Sequence, residues 1–238
     1  AVAAQRNRRD YEELQLETSA DGILTGFCNI NEDEVGEDNS HAAAIIYDYS
    51  VLAGSQGFFH HQKLDRICEK AEEFSLPVVI FTEGGGGRPG DTDVTTQIAG
   101  LHIPSFSTWA RLTGKCLKIA VNNGYCFAGN AVLFGCSDFM IATKQSWIGM
   151  AGPAMIEGGG LGVFDPKEIG PAEEQYKNGV LDYLAEDEKE ATFIAKKLLS
   201  YFQGNLSDWS IDDQTKLRDI IPEAVSYTHL RAHETMSN

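Results

Sequence analysis

Apolar positions along the chain follow two spacings, one typical of strands and the other of helices. Runs of apolar and β-branched residues predict strands at 23–30, 41–50, 78–81, 116–121 and 138–143. Helical patterns occur at 11–18, 62–74, 106–113, 129–135 and 188–203. Strands that alternate with helices indicate an α/β domain. We therefore expect one α/β fold that becomes mainly helical beyond Gly170.

Three of the predicted strands end in loops that contain glycine. The first of these loops begins with Gly84-Gly85-Gly86-Gly87, the second is Asn122-Asn123-Gly124, and the third continues through Gly149 to Gly162. In α/β sheets, ligands bind in the crevice outside the carboxyl ends of the strands. We expect these loops to form the ligand site.

The composition argues against two classes of function. The chain has 238 residues and a formal net charge of −16, whereas a nucleic-acid-binding protein needs a clustered basic surface. No run of about eighteen apolar residues occurs, and no apolar stretch follows the arginines near the N-terminus. We expect a soluble protein that lacks a signal peptide and binds neither nucleic acid nor membrane.

The cysteines and histidines indicate neither a disulfide framework nor a metal site. The five cysteines are an odd number, and no C-x-x-C motif occurs. We expect reduced thiols, as in the cytoplasm, which we favour, or in an organellar matrix. His60 and His61 are adjacent and lack the i, i+4 spacing of a helical metal pair, so we expect no metal.

The run Gly84 to Gly87 places four residues without side chains directly after a buried strand. A reacting oxygen can approach backbone N–H groups there, as in an oxyanion hole. A flexible surface loop has the same composition, so the run alone leaves both interpretations open. Gly129 favours the oxyanion hole, because it begins a predicted helix and its N–H lies at the positive end of the helix dipole.

Other kinds of site fit the glycine run less well. No Gly-Lys-Ser/Thr follows it, as a nucleotide-hydrolysing loop requires, and Pro89 interrupts a dinucleotide fingerprint. No G-x-S-x-G nucleophile motif occurs, and we interpret Cys126 as a small buried thiol. Arg88 has two open interpretations: a contact with the phosphates or thioester end of coenzyme A, or an exposed side chain without a role.

Three segments resemble a known family. VNNGYCFAGN at 121–130, with Asp138, resembles a segment of the crotonase superfamily. FTEGGGGRPGDTD at 81–93 and IGMAGPAMIEGGGLGVFDPKEIGP at 148–171 resemble the carboxyltransferase domain of biotin-dependent acyl-CoA carboxylases, above all long proteins fused to a biotin carboxylase. The resemblance implies a crotonase-like α/β fold, a repeated ββα superhelix with C-terminal helices.

The resemblance also implies roles for single residues. The family holds the thioester oxygen with amides of a Gly-Gly-x-Arg loop, which matches residues 85–88 here, and with an amide at a helix start. The implied catalytic residues are Gly85, Gly86 and Gly129, and the implied substrate-binding residues are Gly84, Gly87, Arg88, Ala128, Gly152 and Glu157. Crotonase hydratases have catalytic glutamates where Val132 and, approximately, Gly152 stand here. The resemblance therefore argues against water addition to an enoyl-CoA.

The implied activity is a carboxyltransferase that stabilises the enolate of acetyl-CoA or propionyl-CoA for carboxylation by carboxybiotin. The implied cofactor is biotin on a separate carrier domain, and the coenzyme A thioester is the substrate. Implied partners are the biotin carboxyl carrier and biotin carboxylase domains and a C-terminal carboxyltransferase lobe, within a homo-oligomer. Two alternatives stay open: a biotin-dependent acyl-CoA decarboxylase subunit and a lobe that serves assembly without catalysis.

The resemblance sets the expected limits of the domain. Residues 1–224 match the N-terminal, acyl-CoA-binding lobe, truncated at its start and without the C-terminal lobe. Residues 225–238 have no counterpart in the family and look like a translated sequencing adapter. We expect an unrelated, poorly packed tail there.

Overall fold

A six-stranded sheet lies at the centre of the computed structural model, which describes residues 1–94, 103–204, 211, 213 and 215. The strands in these residues are β1 (Ile23–Asn29), β2 (His41–Tyr47), β3 (Val78–Phe81), β4 (Lys118–Asn122), β5 (Tyr125–Phe127), β6 (Phe139–Thr143), β7 (Trp147–Gly149) and β8 (Tyr183–Ala185). The central sheet has the order β1-β2-β3-β4-β6-β8, with β1 antiparallel to β2 and the other neighbours parallel. β5 and β7 form a separate parallel pair.

Helices connect these strands. Within the described residues they are α1 (Tyr11–Glu17), α2 (Glu32–Val35), α3 (Glu37–Ser40), α4 (Phe58–Phe74), α5 (Ser105–Arg111), α6 (Gly129–Gly135), α7 (Pro153–Gly158), α8 (Ala172–Lys177) and α9 (Glu188–Ser200). None of the helices described is long and apolar enough to cross a membrane. The chain divides into two units at residues 204 and 205, and the second unit contains only three described residues. The predicted boundary at 224 and the predicted tail therefore lie outside the described residues.

Both faces of the central sheet are covered. Ile80 of β3 packs in a core with α4, α5 and α6, while Val79 packs in a second core with α9. Successive residues of a strand point to opposite faces, so a strand buried on both sides must be apolar at every position. Full burial of one such side chain contributes about 1.5–3 kcal/mol to stability. Because the resulting apolar run is continuous, the sequence predicts this strand at its true bounds.

The structure confirms the predicted α/β class, and its differences from the predicted elements have physical causes. α4 begins at Phe58 rather than at residue 62, because the carboxylate of Asp91, distant in sequence, accepts the Phe58 amide at 2.8 Å. Such a remote cap leaves no local signal. The strands β5, β7 and β8 were not predicted, since three residues are too few to show a period.

Two buried histidines lie in the first turns of α4. His60 and His61 are 0% and 5% exposed, and within the described residues the Nε2 atom of each lacks a hydrogen-bond partner. Burial is the main cause that lowers the pKa of His60 to about 3 and that of His61 to about 4. The cation of Arg88 lowers both pKa values further. Both imidazoles are therefore neutral in the folded chain near neutral pH.

We expect acid to destabilise the fold through these histidines. An unfolded histidine titrates near pH 6.5, so below that pH the unfolded chain binds more protons than the folded chain. The contribution of the two neutral histidines to the free energy of unfolding is fully present above about pH 6.5. It is lost as the pH falls towards 4, by about 1.4 kcal/mol per pH unit for each histidine. Urea unfolding at pH 7 and pH 5 measures this slope.

The double variant His60→Gln/His61→Gln is the control for this prediction. The buried carboxyl of Asp21 has a raised pKa, mainly through burial, and changes stability in the opposite direction. Because Asp21 is present in both proteins, the difference in slope isolates the histidines. An unchanged slope in the double variant would contradict the prediction.

Candidate functional site

The run of four glycines, Gly84–Gly87, forms a turn at the carboxyl end of β3, and we call it the glycine turn. Gly84 pairs with β5: its amide donates to Tyr125 O at 2.7 Å, and its carbonyl accepts the Phe127 amide at 2.9 Å. On the other side, the carbonyl of Gly86 accepts the Gln56 amide at 2.7 Å. The glycine turn is therefore held between the loop after β2 and the strand that leads to α6.

The glycine turn lies directly beside the start of α6. Gly86 has a φ of +92°, a conformation that favours glycine. A Cβ atom on Gly86 would lie 2.7 Å from the Cβ of Ala128 and 3.4 Å from the nitrogen of Gly129. This close approach requires the missing side chain. The two glycine segments singled out in the sequence are thus neighbours in space.

The amides of the glycine turn have different partners. Those of Gly84, Gly85 and Gly86 donate to Tyr125 O at 2.7 Å, to Ala53 O at 3.0 Å and to the Asn130 Oδ1 atom at 3.0 Å. The amide of Gly87 has no acceptor among the residues that the structure describes. Gly87 and Gln56 form a parallel β-bridge, in which the Gln56 amide donates to the Gly86 carbonyl and the Arg88 amide donates to the Gln56 carbonyl. The N–H of Gly87 itself therefore points away from Gln56.

The amide of Gly129 also has no acceptor within the described part of the chain. Gly129 is the first residue of α6, and the first amides of a helix lack partners inside it. The preceding Ala128 has φ 51° and ψ −118°, a strained conformation that costs about 1–3 kcal/mol, and its side chain provides no cap. Because α6 has only seven residues, the N–H group itself, rather than a long helix dipole, is the feature of interest.

Arg88, which directly follows the glycine turn, is buried in a cluster of charged side chains, which we call the ion cluster. Its guanidinium pairs with Asp21, lies 3.6 Å from a carboxylate oxygen of Asp91, and donates to the Ser55 carbonyl at 2.6 Å. The Arg88 side chain is 4% exposed, so the interpretation as an exposed arginine is wrong. The two buried carboxylates turn the guanidinium inward. This placement gives no support to the alternative contact with coenzyme A.

Gly152 lies at the N-cap of α7, and Glu157 lies within that helix. A Cβ on Gly152, the N-cap of α7, would lie 3.5 Å from the Phe127 ring, so Gly152 lies against the strand that enters the site. Glu157 is exposed, and its carboxylate forms no hydrogen bond with the described residues. The structure therefore brings Gly152 to the wall of the site and leaves Glu157 at the surface.

Two side chains at the site were missed in the sequence. Asn130 is fully buried and contacts the glycine turn, and Glu83 accepts the Asn123 amide at 2.6 Å. Burial raises the pKa of the Glu83 carboxyl. Asn130 is the one polar residue in the helix GNAVLFG, which was a signal for it, but the neighbouring sequence does not identify its hydrogen-bond partners. Among the described residues, no group of three or more His, Cys, Asp or Glu could hold a metal ion.

Known proteins resemble the chain over most of its length. The carboxyl transferase domain matches residues 6–228. The methylmalonyl-CoA carboxyltransferase 12S subunit of Propionibacterium freudenreichii subsp. shermanii is 31% identical over 212 residues, 85% of this chain and 38% of that subunit. The propionyl-CoA carboxylase beta chain of Saccharopolyspora erythraea is 25% identical over 78% of this chain and 32% of its own length.

Solved structures agree with these matches. A single-chain, multi-domain long-chain acyl-CoA carboxylase has a TM-score of 0.84 and 49% identity, over 93% of this chain and 22% of that one. Transcarboxylase 12S, a hexamer assembly with methylmalonyl-coenzyme A and methylmalonic acid bound, has a TM-score of 0.70 and 29% identity, over 86% of this chain and 40% of that one. The chain spans less than half the length of these relatives. The likeness confirms the predicted crotonase-like fold.

Proposed function

The chain belongs to the carboxyl transferase domain family, and from this premise we propose that it binds an acyl-CoA and stabilises the enolate of its thioester. One observation carries the proposal. Two backbone amides without acceptors among the described residues, those of Gly87 and Gly129, flank the place where Gly86 approaches the start of α6. Two N–H donors on different loops are the usual components of an oxyanion hole.

The chemistry follows from the position of the charge. When a proton leaves the α-carbon of an acyl-CoA, the electron pair moves onto the thioester oxygen, and the two amides donate hydrogen bonds to that oxygen. A donor fixed in advance needs no reorganisation during the reaction, and loss of one costs on the order of 3 kcal/mol in the barrier. The glycines carry no side chain of their own that would block the approach of the oxygen to these N–H groups.

We assign the donor in the glycine turn to Gly87 in place of Gly85 and Gly86. Their amides already donate to Ala53 O and to Asn130 Oδ1, and a ligand oxygen would have to displace those acceptors. Gly84, Gly85 and Gly86 then act as the scaffold that presents the Gly87 amide. Gly129 keeps the role that the resemblance gave it.

The acceptor of the enolate is proposed from the family. Biotin on a separate carrier domain would supply the carboxyl group, and a biotin carboxylase and a C-terminal carboxyltransferase lobe would be partners in an oligomer. Val132 and Gly152 stand where hydratases have glutamates, so this chain offers no carboxylate there for adding water. The same amides would serve decarboxylation, because that reaction passes through the same enolate.

Binding of three ligands to the chain tests the proposal. Calorimetry with propionyl-CoA, with the S-propyl thioether of coenzyme A and with coenzyme A separates the thioester oxygen from the rest of the molecule. We expect propionyl-CoA to bind about 5- to 150-fold more tightly than the thioether, because two net hydrogen bonds contribute about 1–3 kcal/mol. Equal affinities would contradict the oxyanion hole, and no binding of any ligand would favour a lobe that serves assembly alone.

A further inference from the structure

One fully buried side chain joins the two halves of the proposed oxyanion hole. Asn130 is 0% exposed, and its Oδ1 atom accepts the Gly86 amide at 3.0 Å. Its Nδ2 atom donates to Thr82 O at 3.0 Å and to Gly54 O at 3.4 Å. The amide group of one residue in the first turn of α6 thus contacts the end of β3, the glycine turn and the loop after β2.

We propose that Asn130 is a positioning residue that holds the glycine turn, and with it the Gly87 amide, at a fixed position relative to the Gly129 amide. The inference rests on the proposed function of those amides. Gly86 precedes Gly87, and Asn130 follows Gly129, so the bond from Gly86 to the Asn130 side chain links the neighbours of the two donors. This hydrogen bond ties the glycine turn to the first turn of α6 without occupying the N–H of Gly87 or of Gly129.

The site requires an amide side chain at position 130. The backbone presents one N–H donor on one side, from Gly86, and two carbonyl acceptors on the other, from Thr82 and Gly54. An asparagine has both an acceptor and donors, whereas an aliphatic side chain has neither. Unpaired buried backbone groups are costly, so loss of the amide should let the glycine turn move to find other partners. Gly84 makes room for this arrangement, since a Cβ there would collide with the Asn130 Nδ2 atom.

The geometry also explains which amide of the glycine turn stays available. Asn130 takes the N–H of Gly86, and Ala53 takes that of Gly85. The bridge between Gln56 and Gly87 directs the Gly87 amide away from the loop after β2, so this amide is the one in the glycine turn that stays available. If the Asn130 bond is lost, the Gly86 amide is released and the glycine turn loses this link to α6, although the Gln56 amide still donates to the Gly86 carbonyl.

Isotope-edited infrared spectroscopy tests the inference. The carbonyl band of [1-¹³C]propionyl-CoA moves to lower frequency when the thioester oxygen accepts hydrogen bonds, so the band of the bound ligand reports the alignment of the donors. We expect a clear downward shift with the unaltered chain. Asn130→Ala should lose most of the shift while the affinity for coenzyme A, which lacks the acyl oxygen, stays unchanged, because the Asn130 side chain is fully buried.

Asn122→Ala is the matched control. Asn122 is also fully buried at the carboxyl edge of the sheet, where it donates to Gly124 O at 2.8 Å and accepts from Thr82 Oγ1 at 3.2 Å. We expect this variant to lose unfolding free energy as Asn130→Ala does and to keep the band shift. A full shift in Asn130→Ala, or an equal loss in Asn122→Ala, overturns the inference and leaves the proposed function standing. No shift in the unaltered chain overturns both.

Discussion

Replacing Arg88 with methionine is expected to lower the free energy of unfolding by about 3–5 kcal/mol, the largest effect on stability that we predict. The guanidinium is the cation between two buried carboxylates, those of Asp21 and Asp91, which are 0% and 8% exposed as residues. Methionine fills similar volume without charge, so both carboxylates would remain buried without their partner. A domain of this size has a total stability of about 5–15 kcal/mol, so a large part would be lost.

The ion cluster matters for the site because its carboxylates also cap α4. Asp91 accepts the Phe58 amide at 2.8 Å, and Asp21 accepts the His60 amide at 2.8 Å. Arg88 follows the glycine turn directly and donates from Nε to Ser55 Oγ at 3.1 Å. Loss of the cation would therefore loosen the helix start and the end of the glycine turn together.

Equilibrium urea unfolding measures this effect, and Arg111→Met is the matched control. Arg111 forms an exposed ion pair with Glu72 at 2.8 Å, which solvent screens, so the same replacement should cost far less there. Asp21→Asn added to Arg88→Met should restore part of the loss by removing one unpaired charge. If the variant does not fold, Arg88→Lys, which keeps the positive charge but not the planar guanidinium with its several donors, should give an intermediate loss of unfolding free energy. Equal losses at Arg88 and Arg111 would refute the assignment of Arg88 to the buried cluster.

Replacing Gly86 with valine should lower the affinity for propionyl-CoA about 5- to 150-fold, to that of the thioether, the largest effect on ligand binding that we predict. A valine at φ +92° is strained, and its Cβ would lie 2.7 Å from the Cβ of Ala128 and 3.2 Å from Phe127 O. The glycine turn would have to move away from α6. That movement would break the bonds of Gly86 to Gln56 and Asn130 and separate the amides of Gly87 and Gly129.

Calorimetry with propionyl-CoA checks this prediction, with circular dichroism to show that the variant is folded. The control is Gly135→Ala at the end of α6, where an added Cβ would meet no atom within 4 Å. We expect the control to bind like the unaltered chain. Normal affinity in a folded Gly86→Val protein would show that the contact between the glycine turn and α6 is not part of the ligand site.

The predictable part of the fold was the part whose signal lies in consecutive residues. β3 and α6 have the predicted bounds, because a strand buried on both faces and a glycine-bounded helix are both local patterns. The early start of α4 depends on Asp91, and the short pair of β5 and β7 depends on backbone bonds between distant segments. Such interactions between distant residues have no periodic trace in the sequence.

The same distinction applies to the candidate site. The nearness of the glycine turn to Gly129 could be expected, because loops that follow parallel strands meet at one edge of the sheet. Which amide of the glycine turn lacks an acceptor could not be expected, because the acceptors Ala53 O and Asn130 Oδ1 come from other segments. The buried position of Arg88 was missed for the same reason: Asp21 is 67 residues away in the chain.

The position of the thioester oxygen tests the central claim most directly. A crystal structure of the chain with bound propionyl-CoA would locate this oxygen relative to the backbone nitrogens of the glycine turn and α6. We predict that it lies within about 2.7–3.2 Å of both the Gly87 and the Gly129 nitrogen. An oxygen that contacts the Gly85 amide instead, or lies outside hydrogen-bonding distance of Gly129, would contradict the account.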